Sequence, residues 1–285
     1  MLTPVNALTL IYGLIGSPVS HSFSPAMHNA GFDYLKMNAV YGAFDVVSEN
    51  LEQALNGVRS LNLSGLNVTV PHKSAVIPYL DELEPLARTI GAVNTIVNHK
   101  GHLRGTSTDS DGFLRALKEN GIQPEGLDIV ILGAGGSARA LLAGLAQAEA
   151  SSIRLMNRTS LKAQKLVKEF KPIFSKCKML HVEKNDLQGL KCDLLINTTS
   201  AGMNNNEIAF DLNDASEIGH IADIIYNPPQ TPLLNQAENL GIPYHNGISM
   251  LLYQGCESFT FWTGHQAPVE QMKQALITQL KKLHS

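Results

Sequence analysis

Apolar residues along this chain follow two patterns, short runs of strand length and longer stretches with helical spacing. The two patterns alternate through the first hundred residues. Strands are predicted at residues 9–15, 38–44, 65–70, 91–98 and 103–105, and helices at 25–35, 49–61 and 75–81. Such alternation predicts a mostly parallel or mixed sheet with helices on its faces.

The pattern changes after a helix that is predicted to begin near Asp109 and to end at Asn120-Gly121. From residue 127 onwards a doubly wound sheet is predicted, with strands at 129–132, 153–156, 194–197, 221–225 and 243–244, a helix at 161–170 and a surface turn at 183–189. Two long helices, 248–263 and 269–284, are predicted to pack back on the first domain. The expected fold class is therefore α/β with two domains, 1–109 completed by 247–285, and 110–246.

A glycine-rich turn at residues 133–138 separates the first strand of the second domain from its first helix. Backbone amides at such a turn point outward, the helix dipole adds positive charge, and missing β-carbons let a pyrophosphate approach. A dinucleotide is the predicted ligand, although an ordinary strand-to-helix loop also fits, because the last position of the motif is Ala138. The predicted cofactor-binding residues of the turn are Gly133, Ala134, Gly135, Gly136 and Ser137.

The next strand ends in Asn157-Arg158-Thr159, at the position where an NAD site places an acid. A guanidinium there stacks on adenine and pairs with a 2′-phosphate, whereas a carboxylate repels that phosphate. Arg158 therefore predicts selection of NADP. Asn157, Thr159 and Lys162 join the predicted cofactor site, the last two as a hydroxyl donor and a second positive charge. The alternative is a solvated arginine after a strand.

Composition narrows the classes of partner. The 285 residues carry a net charge of -3 without a block of like charges, which argues against nucleic acid and anionic membrane surfaces. Three widely spaced cysteines predict neither a disulfide scaffold nor a thiolate metal site, and no histidine cluster has metal-ligand spacing. No basic signal-peptide segment and no run of transmembrane length is found, so a cytoplasmic location and small-molecule partners are expected.

Two serines precede the predicted helix start at Pro25. Ser24 fits the N-cap position, because Pro25 suits the first turn of a helix, but this leaves Ser22 unexplained. Hydroxyls at i and i+2 beside a helix N-terminus also suit a carboxylate ligand. Helix capping and ligand binding therefore both stay open.

Further polar residues lie where strands are predicted to end. In Asn67-Val-Thr-Val-Pro-His-Lys73, Asn67 and Thr69 share one face of a strand, and Lys73 follows the proline turn. Asn94 lies inside an apolar strand and so needs hydrogen-bond partners. By default Lys73 is a solvated charge and Asp109 a helix cap. Together they supply an amine, a carboxylate, an amide and hydroxyls, a set that suits a polyhydroxylated carboxylic acid.

These ordered motifs closely resemble the NADP-dependent shikimate dehydrogenase family over nearly the entire chain. The matching pieces are Ser22-x-Ser24, Asn67-Val-Thr-x-Pro-x-Lys73, Gly91-Ala-Val-Asn-Thr95, Thr108-Asp109, the turn at Gly133, Asn157-Arg-Thr159, Asp223-Ile-Ile-Tyr-Asn-Pro228 with Thr231 and Leu234, and Asn246-Gly-Ile-x-Met-Leu-x-x-Gln254. The resemblance implies an N-terminal substrate domain completed by the C-terminal helices, with a Rossmann-like NADP domain between. It implies reversible hydride transfer between NADPH and the ketone of 3-dehydroshikimate.

The resemblance also implies roles for single residues. It makes Lys73 the catalytic base with Asp109 as its orienter, and His72 is the next candidate for the base. The residues implied to hold the substrate are Ser22, Ser24 and Tyr226 at its carboxylate, and Thr69, Asn94, Asp109 and Gln254 at its ring hydroxyls. Ile224 and Gly247 join the implied cofactor site.

One departure from the family is plain. Ser107 stands where the family commonly has asparagine before Thr-Asp, and Asp111 is an extra acid. A paralogue acting on quinate and a non-catalytic NADP(H)-binding protein on the same fold stay as alternatives. The serines at 22 and 24 favour shikimate, because quinate enzymes of the family commonly carry threonine at the second position. The sequence leaves a monomer and a homodimer open.

Overall fold

The computed structural model describes residues 5–284, and the predicted α/β class is confirmed. The strands are β1 (Leu10–Gly16), β2 (Ala39–Asp45), β3 (Gly65–Val68), β4 (Glu82–Leu83), β5 (Thr95–His99), β6 (His102–Thr106), β7 (Asp128–Leu132), β8 (Ser152–Met156), β9 (Lys178–His181), β10 (Leu190–Asn197), β11 (Ala215–Asp223) and β12 (Tyr244–His245). The helices are α1 (Ser24–Tyr34), α2 (Leu51–Ser60), α3 (Pro85–Ile90), α4 (Asp109–Glu119), α5 (Gly136–Gln147), α6 (Ser160–Phe170), α7 (Pro232–Asn239), α8 (Ile248–Thr263) and α9 (Val269–His284).

The described residues form two compact units. The first comprises the chain up to Gly112 and from Leu252 onwards, and the second runs from Phe113 to Leu251. Both divisions fall inside helices, α4 and α8, so each of these helices contributes residues to both units. The sequence placed the divisions after 109 and after 246, a few residues earlier, because a continuous helix shows no break in its pattern.

The first unit contains a mixed six-stranded sheet in the order β2-β1-β3-β5-β6-β4. Strand β1 is parallel to both of its neighbours, whereas β5 is antiparallel to β3 and β6. Helix α2 presents Leu51, Leu55 and Val58 to a core that includes Ile15 and Ile96. This i, i+4, i+7 spacing gives one apolar stripe, and full burial of such a side chain contributes about 2 kcal/mol.

The C-terminal helices pack on the same unit. Helix α1 approaches α9 at Gly31, where a β-carbon would lie 3.0 Å from the Phe259 ring and 3.4 Å from Met272. The indole Nε1 of Trp262 donates to the carbonyl oxygen of Ile96 at 2.9 Å. These contacts fix α8 against strand β5.

The second unit contains a fully parallel sheet in the order β12-β11-β10-β7-β8-β9. The chain starts at β7 in the centre, winds outward to β9, and returns to β10 on the other side of β7. The loops after β7 and β10 therefore meet, and the backbone N–H of Thr198 donates to Leu132 O at 2.8 Å. Doubly wound sheets bind ligands at this reversal of strand order, which positions the glycine turn.

Several predicted elements differ from the structure. Residues 91–94 were predicted as strand, but Gly91, with φ of +68°, ends helix α3, and the strand begins only at Thr95. Residues 75–81 contain one short 3-10 turn, Ile77–Tyr79, instead of a helix. The edge strand β9 was not predicted. Short elements carry too few residues for a period to show, which explains these differences.

The three cysteines, Cys177, Cys192 and Cys256, are buried, and none of them is in a disulfide. Burial raises the pKa of the Cys177 thiol to about 11 and that of Cys192 to about 12, so both stay protonated at neutral pH. Within residues 5–284, no three His, Cys, Asp or Glu side chains gather as a metal site. None of the helices in that range is both long enough and apolar enough to cross a membrane.

Candidate active site

Lys73 and Asp109 form an ion pair in the first unit, where Nζ donates to Oδ2. Lys73 lies in the loop that follows β3, and Asp109 is the first residue of α4, where the positive end of the helix dipole favours a carboxylate. The side chains are 12% and 5% exposed, so little water screens their attraction. The amine and the carboxylate, predicted from separate motifs, are therefore in direct contact. Helix α4 begins at Asp109, and Thr108 lies immediately before it.

Asn94 joins this pair through its side-chain amide. Its Nδ2 donates to Asp109 Oδ1 at 2.9 Å and to Gln254 Oε1 at 3.1 Å. Its Oδ1 accepts from the backbone N–H of Thr108 at 2.8 Å. A backbone N–H only donates and a carboxylate only accepts, so the two neighbours fix which way the amide points. The structure thus brings Lys73, Asp109, Asn94 and Gln254 into one hydrogen-bonded group.

Close packing of α4 on α8 within the first unit positions Gln254. A β-carbon at Gly112 would lie 2.5 Å from the backbone nitrogen of Gln254, closer than any real side chain can approach. Thr108 Oγ1 donates to the backbone oxygen of Gln254 at 2.9 Å. The absence of a side chain at Gly112 therefore lets α8 carry its amide to Asn94.

Ser22, Ser24 and Thr69 also belong to the first unit. Helix α1 begins at Ser24 and its N-cap is Phe23, so of the two interpretations left open for Ser24, helix capping is wrong. Instead Ser22 Oγ accepts from the backbone N–H of Ser24 at 3.2 Å. The N–H of Thr69 donates to Ile15 O at 2.9 Å, so Thr69 extends the pairing of β3 with β1. Capping no longer accounts for the Ser24 hydroxyl.

The glycine turn in the second unit has the backbone that its sequence requires. Gly133 has φ of +112°, and a β-carbon there would collide with Thr198 Oγ1. Gly135 precedes α5, and a β-carbon built on it would meet nothing within 4 Å, so the space in front of the helix N-terminus is open. Ala134, Gly136 and Ser137 complete the turn, half-buried. The turn leaves room for an anion against the first amides of α5.

The predicted NADP-selecting residues lie next to this turn. Gly133 N donates to the backbone oxygen of Met156, the last residue of β8, at 2.8 Å. Arg158 and Thr159 follow and are exposed, as is Lys162 in the first turn of α6. Asn157 Nδ2 donates to Thr159 O at 2.9 Å and braces the bend.

A buried carboxylate, Asp223, shapes the loop that carries Ile224 and Tyr226. It accepts from Ile225 N at 3.0 Å, Thr231 Oγ1 at 2.8 Å and Asn197 Nδ2 at 3.0 Å. Burial raises its pKa, while these three hydrogen bonds lower it. Tyr226 is half-buried three residues further on.

Gly247 lies against the same loop. Its N–H donates to Ile225 O at 2.9 Å, and a β-carbon on it would collide with the backbone oxygen of Ile224. The structure therefore brings Ile224 and Gly247 together. Tyr226, Ile224 and Gly247 all belong to the second unit.

Family models match three stretches of the chain. They are the shikimate dehydrogenase substrate binding domain over residues 14–96, shikimate / quinate 5-dehydrogenase over 116–213, and the shikimate 5'-dehydrogenase C-terminal domain over 247–277. A shikimate dehydrogenase (NADP(+)) from Desulforamulus reducens is 44% identical over 287 residues, which covers 98% of each chain. The chain belongs to the shikimate dehydrogenase family. The resemblance seen in the sequence motifs is thereby confirmed.

Solved structures of this family share the fold. A crystal structure of a shikimate dehydrogenase in complex with NADP+ is 40% identical, with a TM-score of 0.88 and 98% of each chain covered. The shikimate 5-dehydrogenase of Thermus thermophilus, in complex with NADP(H) and shikimate, is 34% identical. Its TM-score is 0.85, and the match covers 95% of this chain and 100% of that one. The fold shared with these structures therefore covers nearly the whole chain.

Three residues near the Lys73–Asp109 ion pair of this family member were not among the site residues predicted from the sequence. Thr95 and Thr108 bond to the side-chain oxygen of Asn94, and Ser258 bonds to Thr95. Ser258 follows Gln254 by four residues and so lies on the same face of α8. A serine one helical turn after Gln254 was the available signal.

The side chain of His72, the next candidate for the base, is held by the backbone of Val46. It is fully buried, and its Nε2 lies 2.6 Å from the carbonyl oxygen of Val46. A carbonyl only accepts, so Nε2 carries the proton and the ring is fixed by the backbone. Lys73 therefore stays the better candidate in this shikimate dehydrogenase family member.

His28 lies fully buried among aromatic rings of the first unit. Its ring stacks on Tyr41 with centroids 4.5 Å apart, and the Trp262 ring is 5.2 Å away. Burial lowers the pKa of His28 from the ordinary value of 6.5 to about 3, and Asn67 opposes this shift only in part. The folded protein therefore holds His28 neutral at pH values where the unfolded chain binds a proton.

We expect His28 to weaken the fold as the pH falls from 6.5 towards 3. The free energy of unfolding should fall by about 1.4 kcal/mol per pH unit in this range, which amounts to about 2 kcal/mol at pH 5. His28→Phe keeps a ring but cannot titrate, so the difference in stability between pH 7 and pH 5 should shrink by that amount. Urea unfolding at both pH values measures it.

The matched control is His99→Gln, at an exposed histidine of β5, which should leave the pH dependence of wild type intact. If His28→Phe loses as much stability as wild type between pH 7 and pH 5, His28 is not the group that titrates.

Proposed function

We propose that this chain catalyses the reversible NADPH-dependent reduction of 3-dehydroshikimate to shikimate. This step belongs to the pathway to chorismate and the aromatic amino acids. The observation that carries the proposal is the buried group formed by Lys73, Asp109, Asn94 and Gln254 in the first unit. The family and its relatives named as shikimate dehydrogenase (NADP(+)) support the same reaction.

The residues of the second unit fit NADP. The positive φ of Gly133 and the open space before α5 suit a pyrophosphate at a helix N-terminus. The exposed guanidinium of Arg158, with Thr159 and Lys162 beside it, suits the 2′-phosphate. The proposed cofactor site also includes Asn157, Ala134, Gly135, Gly136, Ser137, Ile224 and Gly247. When bound, NADPH supplies the hydride, and the protein supplies position and protons.

Lys73 is proposed to handle the proton in this reaction. Reduction of the ketone places negative charge on its oxygen, and an ammonium donor next to that oxygen both neutralises the charge and gives up a proton. In the reverse direction the neutral amine takes the proton from the alcohol. Asp109 holds Nζ in place, and Asn94 holds Asp109.

The remaining polar residues are proposed to bind the substrate. Ser22, Ser24 and Tyr226 hold its carboxylate, and Thr69, Asn94, Asp109 and Gln254 surround its ring hydroxyls. Hydroxyl donors and an amide suit these groups, because each can donate to an oxygen of the acid. Ser24 is buried and is not the N-cap of α1, which leaves its hydroxyl available for this role.

Reduction of NADP+ at 340 nm tests the proposal. Shikimate, quinate and no substrate are compared in parallel, each with NADP+ and with NAD+. We expect fast reduction with shikimate and NADP+ and much slower reduction with the other pairs. Preference for quinate or for NAD+ contradicts the assignment of substrate or cofactor, and no reduction with any pair favours a binding protein on the same fold.

We further propose that the enzyme acts in the cytoplasm, as a monomer or a homodimer, on small molecules only. The three buried cysteines, which form no disulfide, fit a reducing compartment. Sedimentation velocity of the purified protein measures its oligomeric state.

A further inference from the structure

A fully buried serine of α8, Ser258, connects several segments of the first unit. Its Oγ accepts from Asn67 Nδ2 at 3.0 Å and lies 2.7 Å from Thr95 Oγ1. The same oxygen is 3.2 Å from Thr108 Oγ1 and 2.9 Å from the backbone oxygen of Gln254. One hydroxyl thus touches β3, β5, the residue before α4 and its own helix.

The direction of the first hydrogen bond is fixed by Asn67. Its Nδ2 also donates to the backbone oxygen of Asn94 at 3.1 Å, and its Oδ1 accepts from Tyr41 OH at 2.8 Å. A backbone carbonyl can only accept, so the amide nitrogen must face both Asn94 O and Ser258. Ser258 therefore accepts from Asn67 and keeps its own proton for another partner.

Two acceptors lie within reach of that proton, the backbone oxygen of Gln254 at 2.9 Å and Thr95 Oγ1 at 2.7 Å. The hydroxyl of Thr95 in turn donates to Asn94 Oδ1 at 3.0 Å. Asn67, Ser258, Thr95 and Asn94 therefore form one connected series of hydrogen bonds.

The series of hydrogen bonds continues to the ion pair. With its Oδ1 held by Thr95 and by the N–H of Thr108, Asn94 must present Nδ2 to Asp109 Oδ1. Rotation of this amide would place an oxygen against the carboxylate and remove a donor from it. Asp109 would then lose one of the two contacts that orient it towards Lys73.

We propose that Ser258 is a positioning residue for the reaction. It holds Thr95 against the side-chain oxygen of Asn94, and so supports the amide that keeps the Asp109 carboxylate aligned for Lys73. This inference rests on the proposed function, and it adds to the site a residue that touches neither Asp109 nor Lys73 directly.

The test compares steady-state kinetics of Ser258→Ala with those of wild type. We expect kcat for shikimate oxidation to fall roughly ten-fold, because a reacting group is misplaced, with KM for NADP+ unchanged. Thr95→Val interrupts the same series of hydrogen bonds at another residue and should give a similar loss of kcat. The double variant should lose no more than the larger single loss, since both changes break one connection.

Thr260→Ala is the matched control. Thr260 lies on α8 and donates to the backbone oxygen of Cys256 one turn earlier, as Ser258 could, but it is exposed. Its kcat should stay within about two-fold of wild type. Circular dichroism and Tm establish whether each variant is folded. If Ser258→Ala does not fold, the kcat of Thr95→Val tests the role of Ser258 by itself.

The outcomes separate this inference from the proposed function. If wild type does not reduce NADP+ with shikimate, both are overturned. If wild type is active and Ser258→Ala or Thr95→Val retains its kcat, only the role of Ser258 is overturned. If the fold-losses in kcat of the two single variants multiply in the double variant, the role of Ser258 is overturned as well, because two independent structural defects behave in that way.

Discussion

Replacing Lys73 with alanine should lower kcat for shikimate oxidation by about 10²- to 10⁴-fold, the range typical of a positioned general acid–base group. KM for shikimate should change little, because the proposed carboxylate and hydroxyl ligands stay in place. The charge that develops on the substrate oxygen would then have no ammonium beside it. Stopped-flow and steady-state assays at 340 nm measure both constants.

Because Lys73 and Asp109 form an ion pair with little exposure to water, Lys73→Ala affects stability as well as activity. Loss of the amine leaves a buried carboxylate without its cation, which itself costs stability, so Tm must be measured in parallel. Lys118→Ala, at an exposed lysine of α4, controls for loss of a positive charge alone. Partial recovery of Lys73→Ala by added propylamine would identify the missing amine as the cause. A kcat within three-fold of wild type, on the other hand, would assign the proton to another group.

Replacing Arg158 with alanine should lower kcat/KM for NADP+ by about 10- to 100-fold, the value of one or two hydrogen bonds to a charged group. The value of kcat/KM for NAD+ should stay nearly unchanged, because NAD+ has no 2′-phosphate. Arg158→Lys keeps the charge but not the planar pair of donors, so it should fall between alanine and wild type. Kinetics with both cofactors at fixed ionic strength measure the ratio.

Lys165→Ala, at an exposed lysine further along α6, serves as the control and should leave the preference between cofactors as it is. Equal losses for NADP+ and NAD+ in Arg158→Ala would mean that Arg158 contacts a part common to both cofactors. If removing Lys162 as well lowers kcat/KM for NADP+ further, the charge of Lys162 also acts on the 2′-phosphate.

Long elements with clear periods were predicted well from the sequence. The two C-terminal helices have the predicted bounds, 248–263 and 269–284, and the glycine turn lies between a strand and a helix as expected. Helix α3 was missed because six residues do not make a period, and the apolar residues after Gly91 were taken as the start of β5. Strand β9, a short edge strand, gave no continuous apolar run.

Within the candidate site, the residues that carry charge were easier to find than those that orient them. Lys73 stands out after a strand and a proline turn, Asp109 at a helix start, and Asn94 as an amide within an apolar predicted strand. Ser258 did not, because its partners are 163 and 191 residues away along the chain and only the fold brings them together. The direction of each amide likewise depends on neighbours that no local pattern specifies.

The passage of the chain through α4 and back through α8 has a consequence for biosynthesis. The second unit is an insertion within the first, so a nascent chain has synthesised all of it before Gln254 and Ser258 exist. The hydrogen bond from Asn94 to Gln254 joins residues 160 positions apart, and it can form only after the start of α8 has been synthesised. A ribosome stalled before α8 would therefore hold a chain that includes every strand of the parallel sheet but lacks Gln254 and Ser258, two residues of the proposed active site.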